Sequence, residues 1–325
     1  MELNRGNKVQ VAGELNGPPD KPAEFPSAVL GPRPSPEVSP FTPSDDLSND
    51  FDPSLIIIER RSGWQWINYT DLWRYRELLY FLVWRDVKVR YKQTVLGAAW
   101  AVLQPLAMML VFSLFFGRYA GLPSAKLPYP LFVFAGLLPW FFFANALGSA
   151  GHSVVGNQNL ITKVYFPRLL IPASAVAVCL VDWIIGFGVL LLMMAGYGVS
   201  PGWTVLWVPI LMTGLVTASL GIGTWLSALT VAYRDFRYVI PFMVQLWMFA
   251  TPTIYMQSDK VLHPRWSWIL PLNPAQGLID NFRSAVLGRE LDAYSLVVSS
   301  LVSLILLVLG CWHFQRVERG FADVI

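Results

Sequence analysis

A chain of 325 residues with 54% hydrophobic and only 14% charged side chains, at a mean hydropathy of +0.47, is not an ordinary soluble domain or nucleic-acid binder. Soluble domains carry about 25% charged residues, so this composition indicates an integral membrane protein. Formal net charge is +3, but residues 1–54 hold 4 Lys/Arg against 9 Asp/Glu and the rest holds 20 against 12, so the positive charge sits with the apolar sequence.

Residues 1–54 contain ten prolines, among them Pro18, Pro19, Pro32, Pro34 and Pro36, and no tryptophan. Too little apolar surface is available to offset the entropy of ordering them. A disordered, Pro-rich cytosolic tail is expected. No basic region followed by an apolar stretch opens the chain, so no cleavable signal peptide is expected. Residues 55–95 form a second region. Within it Leu72, Tyr75, Leu79, Leu82, Val83 and Val87 recur at helical spacing, with Arg74, Arg85, Lys88 and Lys92 around them. A membrane span follows directly, which favours a basic amphipathic helix in the membrane interface over a soluble helix.

Residues 96–325 carry six apolar segments, near 96–116, 130–150, 170–195, 204–231, 239–256 and 293–312. Each approaches the ~20 residues that cross a ~30 Å hydrocarbon core as a helix. Backbone polar groups in lipid must be satisfied internally, so an all-α integral membrane protein with six transmembrane helices is expected. The fifth segment is short and broken by Pro241 and Pro252. Loops on the side of the termini carry 14 Lys/Arg and those on the other side 6, which sets both termini in the cytoplasm. The long connection 257–292 reads as two short helical pieces, about 262–270 and 274–287, interrupted at Pro271 and Asn273-Pro274. Such pieces are too short to span and are expected as re-entrant helices.

Bond chemistry has little to stand on. No GxxxxGK[ST] phosphate loop, HExxH or GxSxG pattern occurs, and His152, His263 and His313 are far apart in sequence. Cys179 and Cys311 give neither a disulfide framework nor metal-ligand spacing. Asp182 is the one formal charge within the six spans. It reads either as a functional carboxylate, in a proton relay or a substrate contact, or as a hydrogen-bonded group at a helix interface. Trp140-Phe141-Phe142-Phe143 covers every face of a helix, and Trp247, Phe249 and Tyr255 line the fifth segment. These residues serve either as an interfacial aromatic belt or as apolar faces for sugar rings. Gly214, Ala218, Ser219, Gly221 and Gly223 permit close helix approach.

The junction after the basic helix reads Arg85-Asp86-x-Lys88-x-Arg90-Tyr91-x-x-Thr94-x-Leu96-Gly97-x-x-Trp100-x-x-x-x-Pro105. Further along come Gly136-Leu137-x-Pro139-Trp140, Asn159-Leu160-Ile161-x-Lys163-Val164-Tyr165-Phe166-Pro167-Arg168 and Tyr233-Arg234-Asp235. Thr251-Pro252-x-Ile254-Tyr255 and Leu272-Asn273-Pro274 with Asp280-x-Phe282-Arg283 complete the order. Over residues 55–325 this series resembles the permease subunits of ABC-type polysaccharide exporters, the O-antigen, teichoic-acid and capsule group of type 2 ABC transporters. Residues 1–54 do not match.

The resemblance implies a non-enzymatic transport subunit in a bacterial inner membrane, acting as a homodimer. A separate ATP-binding subunit would carry ATP and magnesium, with no cofactor or metal in this chain. The cargo implied is an undecaprenyl-pyrophosphate-linked glycan. Arg85, Lys88, Arg90, Tyr91 and Lys92 would then form the substrate entrance at the cytosolic leaflet, although plain anchoring to anionic lipid is the alternative use of such cations. Trp100, Trp140, Phe141, Phe142, Phe143, Trp247, Phe249 and Tyr255 would be the channel aromatics. Asn159, Lys163, Tyr165, Phe166, Arg168, Arg234, Asp235 and Arg237 would couple to the ATPase. Pro271, Asn273, Pro274, Asp280, Phe282 and Arg283 would form a periplasmic gate. A membrane-embedded glycosyl- or acyltransferase of the same surface-glycan pathway is the competing class, but Asp86 and Asp235 each sit beside arginines rather than in an acid–base pair. An ion-driven carrier would need more intramembrane ionisable groups than Asp182.

Overall fold

The computed structural model describes residues 73–92, 97, 99–119, 128–251 and 269–321. The Pro-rich tail, the Gln93-Thr94 hinge, Tyr255 and most of the first expected re-entrant piece lie outside these residues. Every regular element among the described residues is helical. In chain order they are α1 (Arg76–Lys92), α2 (Ala99–Phe112, running into a π-helical turn Ser113–Tyr119), α3 (Tyr129–Gly156) and α4 (Gln158–Lys163). Then come α5 (Leu170–Gly196), α6 (Val208–Ala232, entered through a 3-10 turn Trp203–Trp207), α7 (Phe236–Phe249), α8 (Pro274–Val286) and α9 (Ala293–Val317).

Among the described residues five stretches are long and apolar enough to cross a membrane: Ala99–Gly117, Tyr129–Gly156, Leu170–Gly196, Trp203–Ala232 and Ala293–Val317. The apolar pattern of the sequence predicts six. Helix α7, in the place of the fifth expected span, has 14 residues, a length of about 21 Å that falls short of the hydrocarbon core. The remainder of the expected 239–256 segment beyond Thr251 lies outside the described residues.

Helix α3 is the axis of the bundle. It packs most heavily on α5 and α6 and also meets α2, α7 and α8. Burial on every side suits a helix that is apolar all round. The core gathers Leu131, Phe134, Leu137, Phe143 and Leu147 of α3 with Val176 and Leu190 of α5, Leu211 and Leu215 of α6 and Phe282 of α8. A second cluster closes the other end of the bundle, where Val154, Ile161, Phe166, Leu170, Val231, Phe314 and Phe321 surround Leu82 of α1.

Lipid tails are as apolar as the helices, so span association rests on close packing and small residues. The expected small-residue stripe on α6 serves this purpose. A Cβ on Gly223 would fall 2.6 Å from Ala150 Cβ, and one on Gly221 would fall 2.5 Å from the Leu306 carbonyl carbon. The reciprocal position on α9 is Gly310, where a Cβ would sit 2.0 Å from the Gly221 carbonyl oxygen. The two backbones therefore touch without side chains between them.

Helix α8 covers the α5–α6 end of the bundle. Asn273 caps it, accepting from the Ala275 N–H at 3.2 Å, and Pro274 starts it without sacrificing a needed donor. Gly288, at φ +68°, turns the chain out of α8. Thr204 donates to the Ala285 carbonyl at 2.6 Å, and Ser299 of α9 donates to the Pro271 carbonyl at 2.9 Å. At 13 residues α8 cannot span, and it lies buried among α3, α6 and α9.

Candidate functional site

Helix α1 runs along α5, with Leu82 in the cluster that holds Leu170 and with its last turn reaching Asp182. Twelve residues separate Leu170 from Asp182, a rise of about 18 Å. Its apolar residues do not form a single stripe. Tyr75, Leu78, Leu79 and Leu82 pack inward, while Tyr80, Phe81, Trp84 and Val89 are exposed. The described residues of the expected stripe, Tyr75, Leu79, Leu82, Val83 and Val87, are buried or half-buried, and the helix carries in addition exposed apolar side chains alongside its exposed cations.

The cations of α1 have different roles in the structure. Lys88 and Lys92 are exposed. Arg85 pairs with its neighbour Asp86 at 2.8 Å and also donates to Asn157 Oδ1 at 2.8 Å. Asn157 is the residue between α3 and α4, so Arg85 joins α1 to the start of the short helix α4. Arg90 Nη1 donates to Asp182 Oδ2, and the Tyr91 hydroxyl donates to Asp182 Oδ1. Both carboxylate oxygens are therefore engaged by successive residues of α1. Burial first, and the hydrogen bond to Asp182 second, push the Tyr91 phenol above its ordinary pKa, so it remains a donor. Of the two roles expected for Asp182, a hydrogen-bonded group at a helix interface matches this geometry, with a partner that lies outside the spans. The signal was a lone carboxylate in an apolar span, which requires a partner from somewhere, and Arg90 comes from outside them.

Residues expected to couple to a second subunit gather at the α3–α5 end. Asn159, Lys163, Arg234, Asp235 and Arg237 are exposed, and Tyr165 is 92% exposed. Phe166 is the exception, buried beside Ile161 and Leu170. Arg168 donates to the Glu318 carbonyl after α9. Segments 157–168 and 234–238 both adjoin the last turns of α3, where the Ile240 Cδ1 of α7 lies 2.6 Å from where a Cβ on Gly151 would stand.

The expected channel aromatics divide. Trp140, Phe142 and Phe143 are buried in the chain's own core, because α3 is surrounded by helices. Phe143 packs edge-on to Trp247 at 5.2 Å. Phe141 is half-buried and lines a small cavity with Gln104, Asn145 and Asp182. Trp100 and Phe249 are exposed. Trp247 Nε1 donates to Asn273 Oδ1 at 3.0 Å, and Asn273 Nδ2 donates to Thr251 Oγ1 at 3.0 Å. Two sets of residues that sequence kept apart, the fifth-segment aromatics and the outer connection, thus meet in one polar knot. Asn273→Leu removes a cap worth about 1 kcal/mol and leaves the Trp247 N–H unsatisfied at a further 1–3 kcal/mol or so. A fall in the thermal midpoint of the detergent-solubilised chain is expected, and an unchanged midpoint would show the knot to be incidental.

Of the other expected gate residues, Arg283 is buried and ion-pairs with Asp280, and its guanidinium lies 4.1 Å from the Phe132 ring centroid. Phe282 packs against Trp183 and Phe187.

Residues 77–287 match the ABC-2 type transporter family. The O-antigen export system permease protein RfbA of Myxococcus xanthus is 32% identical over 258 residues, covering 78% of this chain and 98% of the relative. A Klebsiella pneumoniae protein of the same name is 28% identical over 251 residues, 77% of this chain and 95% of the relative. The polysialic acid transport protein KpsM of Escherichia coli is 24% identical over 241 residues, 73% of this chain and 92% of the relative.

Proposed function

The chain belongs to the ABC-2 type transporter family, and from that premise we propose that it is the membrane subunit of an ATP-driven exporter of a surface polysaccharide. The observation that carries this reading is the likeness to a permease named for O-antigen export over 98% of that permease's length. The proposed cargo is a glycan on undecaprenyl pyrophosphate, crossing a bacterial inner membrane through a homodimer. A separate subunit binds and hydrolyses ATP. Both termini lie in the cytoplasm, as the Lys/Arg balance indicates.

In this reading the α3–α5 end is cytoplasmic. The exposed Tyr165, with its chain neighbour Lys163 and with Arg234 on the same end, offers the ATPase a docking surface. Its closure pushes on α4, and the Arg85–Asn157 hydrogen bond passes the push to α1. Lys88, Lys92 and Arg90 draw the pyrophosphate to the foot of α1 through charge-assisted hydrogen bonds. Sugars then meet the aromatics that retain surface, Trp100, Phe249 and the half-buried Trp247 and Phe141. Helix α8 closes the outer end.

Deleting the gene tests the reading. Lipid-linked glycan should accumulate inside the cell and disappear from its surface, and a normal surface glycan would sink the proposal. The entrance is tested best at Lys88 and Lys92, because Arg90 also neutralises Asp182. Each charge-assisted contact contributes about 1.5–3 kcal/mol, so Lys88→Gln with Lys92→Gln should slow export roughly a hundredfold or more. If only the amount of chain in the membrane falls, the two lysines anchor the helix to lipid.

A further inference from the structure

The Asp182 carboxylate occupies a place that a phosphate would suit. One oxygen accepts from the Arg90 guanidinium and the other from the Tyr91 hydroxyl. A phosphate presents the same pair of anionic oxygens, and guanidinium groups bind either anion in the same forked manner. The pair is half sealed, with side-chain exposures of 38% for Arg90 and 18% for Asp182. Arg90 therefore keeps more open surface than Asp182. Beside Asp182 lies a partly open cavity of about 30 Å³ that includes the exposed Gln104 and Asn145 together with Trp183. That is room for about one water. The two amides give a displaced carboxylate a polar place to turn, and the indole N–H of Trp183 is buried with no hydrogen-bond partner.

Resting on the export reading, we infer that Asp182 is an internal stand-in for the cargo's phosphate: it latches the end of α1 to α5, and an arriving phosphate anion displaces it from Arg90 and Tyr91 and frees α1. Asp182 is a positioning residue here. It does not touch cargo; it sets how tightly cargo is held and whether α1 is free to move. A chain without this carboxylate has no latch to open and binds anions too readily. The same chemistry is offered by a lipid-linked pyrophosphate and by an anionic phospholipid headgroup.

The test uses the full-length chain in phosphatidylcholine nanodiscs, with undecaprenyl pyrophosphate or phosphatidylglycerol as the added probe. If the latch is closed in roughly nine chains of ten, Asp182→Asn should tighten pyrophosphate binding about tenfold, and Arg90→Gln should weaken it in either background. Spin labels at Val89 of α1 and Leu192 of α5, both exposed, supply a readout that needs no change at Asp182. Their distance distribution should broaden when the pyrophosphate lipid is added. Tightening and broadening with undecaprenyl pyrophosphate alone assign the displacing phosphate to cargo. Equal effects with phosphatidylglycerol assign it to the lipid surface, with the exchange itself upheld. If Arg90→Gln weakens binding but Asp182→Asn leaves it unchanged and the labels do not respond, the latch is wrong and the export reading survives. If the unmodified chain binds no pyrophosphate lipid, the entrance assigned above falls with it.

Discussion

Replacing Gly310 by leucine is expected to prevent the chain from assembling, and even Gly310→Ala is expected to cost about 3 kcal/mol, the upper range for an overpacked site. A Cβ at this position would lie 2.0 Å from the Gly221 carbonyl oxygen and 2.8 Å from the Gly221 carbonyl carbon. The obstacle is backbone, so no rotamer change removes it. Helices α6 and α9 share the heaviest packing in the molecule, and separating them by even an ångström loosens contacts along their whole length. The measurement is thermal unfolding in detergent, together with the yield of monodisperse chain. Gly148→Ala is the control, because a Cβ there meets nothing within 4 Å. Equal midpoints for the two alanine variants would refute the argument.

Reversing the charge at Asp182 should be nearly as damaging. Asp182→Arg places a second guanidinium against Arg90 and removes the acceptor for Tyr91. Breaking a fully buried pair by losing one partner costs about 3–5 kcal/mol; with Arg90 partly exposed solvent screens the loss to less than that, and repulsion adds to it. The double variant Arg90→Asp with Asp182→Arg restores opposite charges across the same gap. It should recover much of the lost stability, a coupling that a double-mutant cycle measures directly. No recovery would mean that Asp182 matters through its shape or through Tyr91 alone.

Much of the architecture was legible in the sequence because lipid imposes simple rules. Apolar runs of span length became α2, α3, α5, α6 and α9, and the small residues of α6 marked where another backbone comes close. The break at Asn273-Pro274 announced a helix start, and α8 begins there. Pair partners were harder to read. Periodicity ranks residues by face, but it does not say which distant charge will meet Asp182, nor that Arg85 will reach Asn157 across 72 positions. The aromatic run shows the same limit: Trp140, Phe142 and Phe143 could each face lipid, cargo or protein until the neighbours of α3 were known. Those neighbours come from elements far away in the chain, and their placement is a property of the whole bundle.

The unequal burial of the helices has a consequence for synthesis. Within α3, 78% of the most apolar window is buried inside the chain, against 6% for the helix beginning at Ala99. Yet α3 precedes most of its partners on the ribosome, and α6 and α8 follow much later. It must wait in the bilayer, with only α2 already beside it and lipid on its other sides, until they arrive. A helix carrying a charge would not tolerate that delay, and α3 carries none between Tyr129 and Gly156. The one acidic span, α5, is made after α1, so the partner for its carboxylate already exists when it inserts.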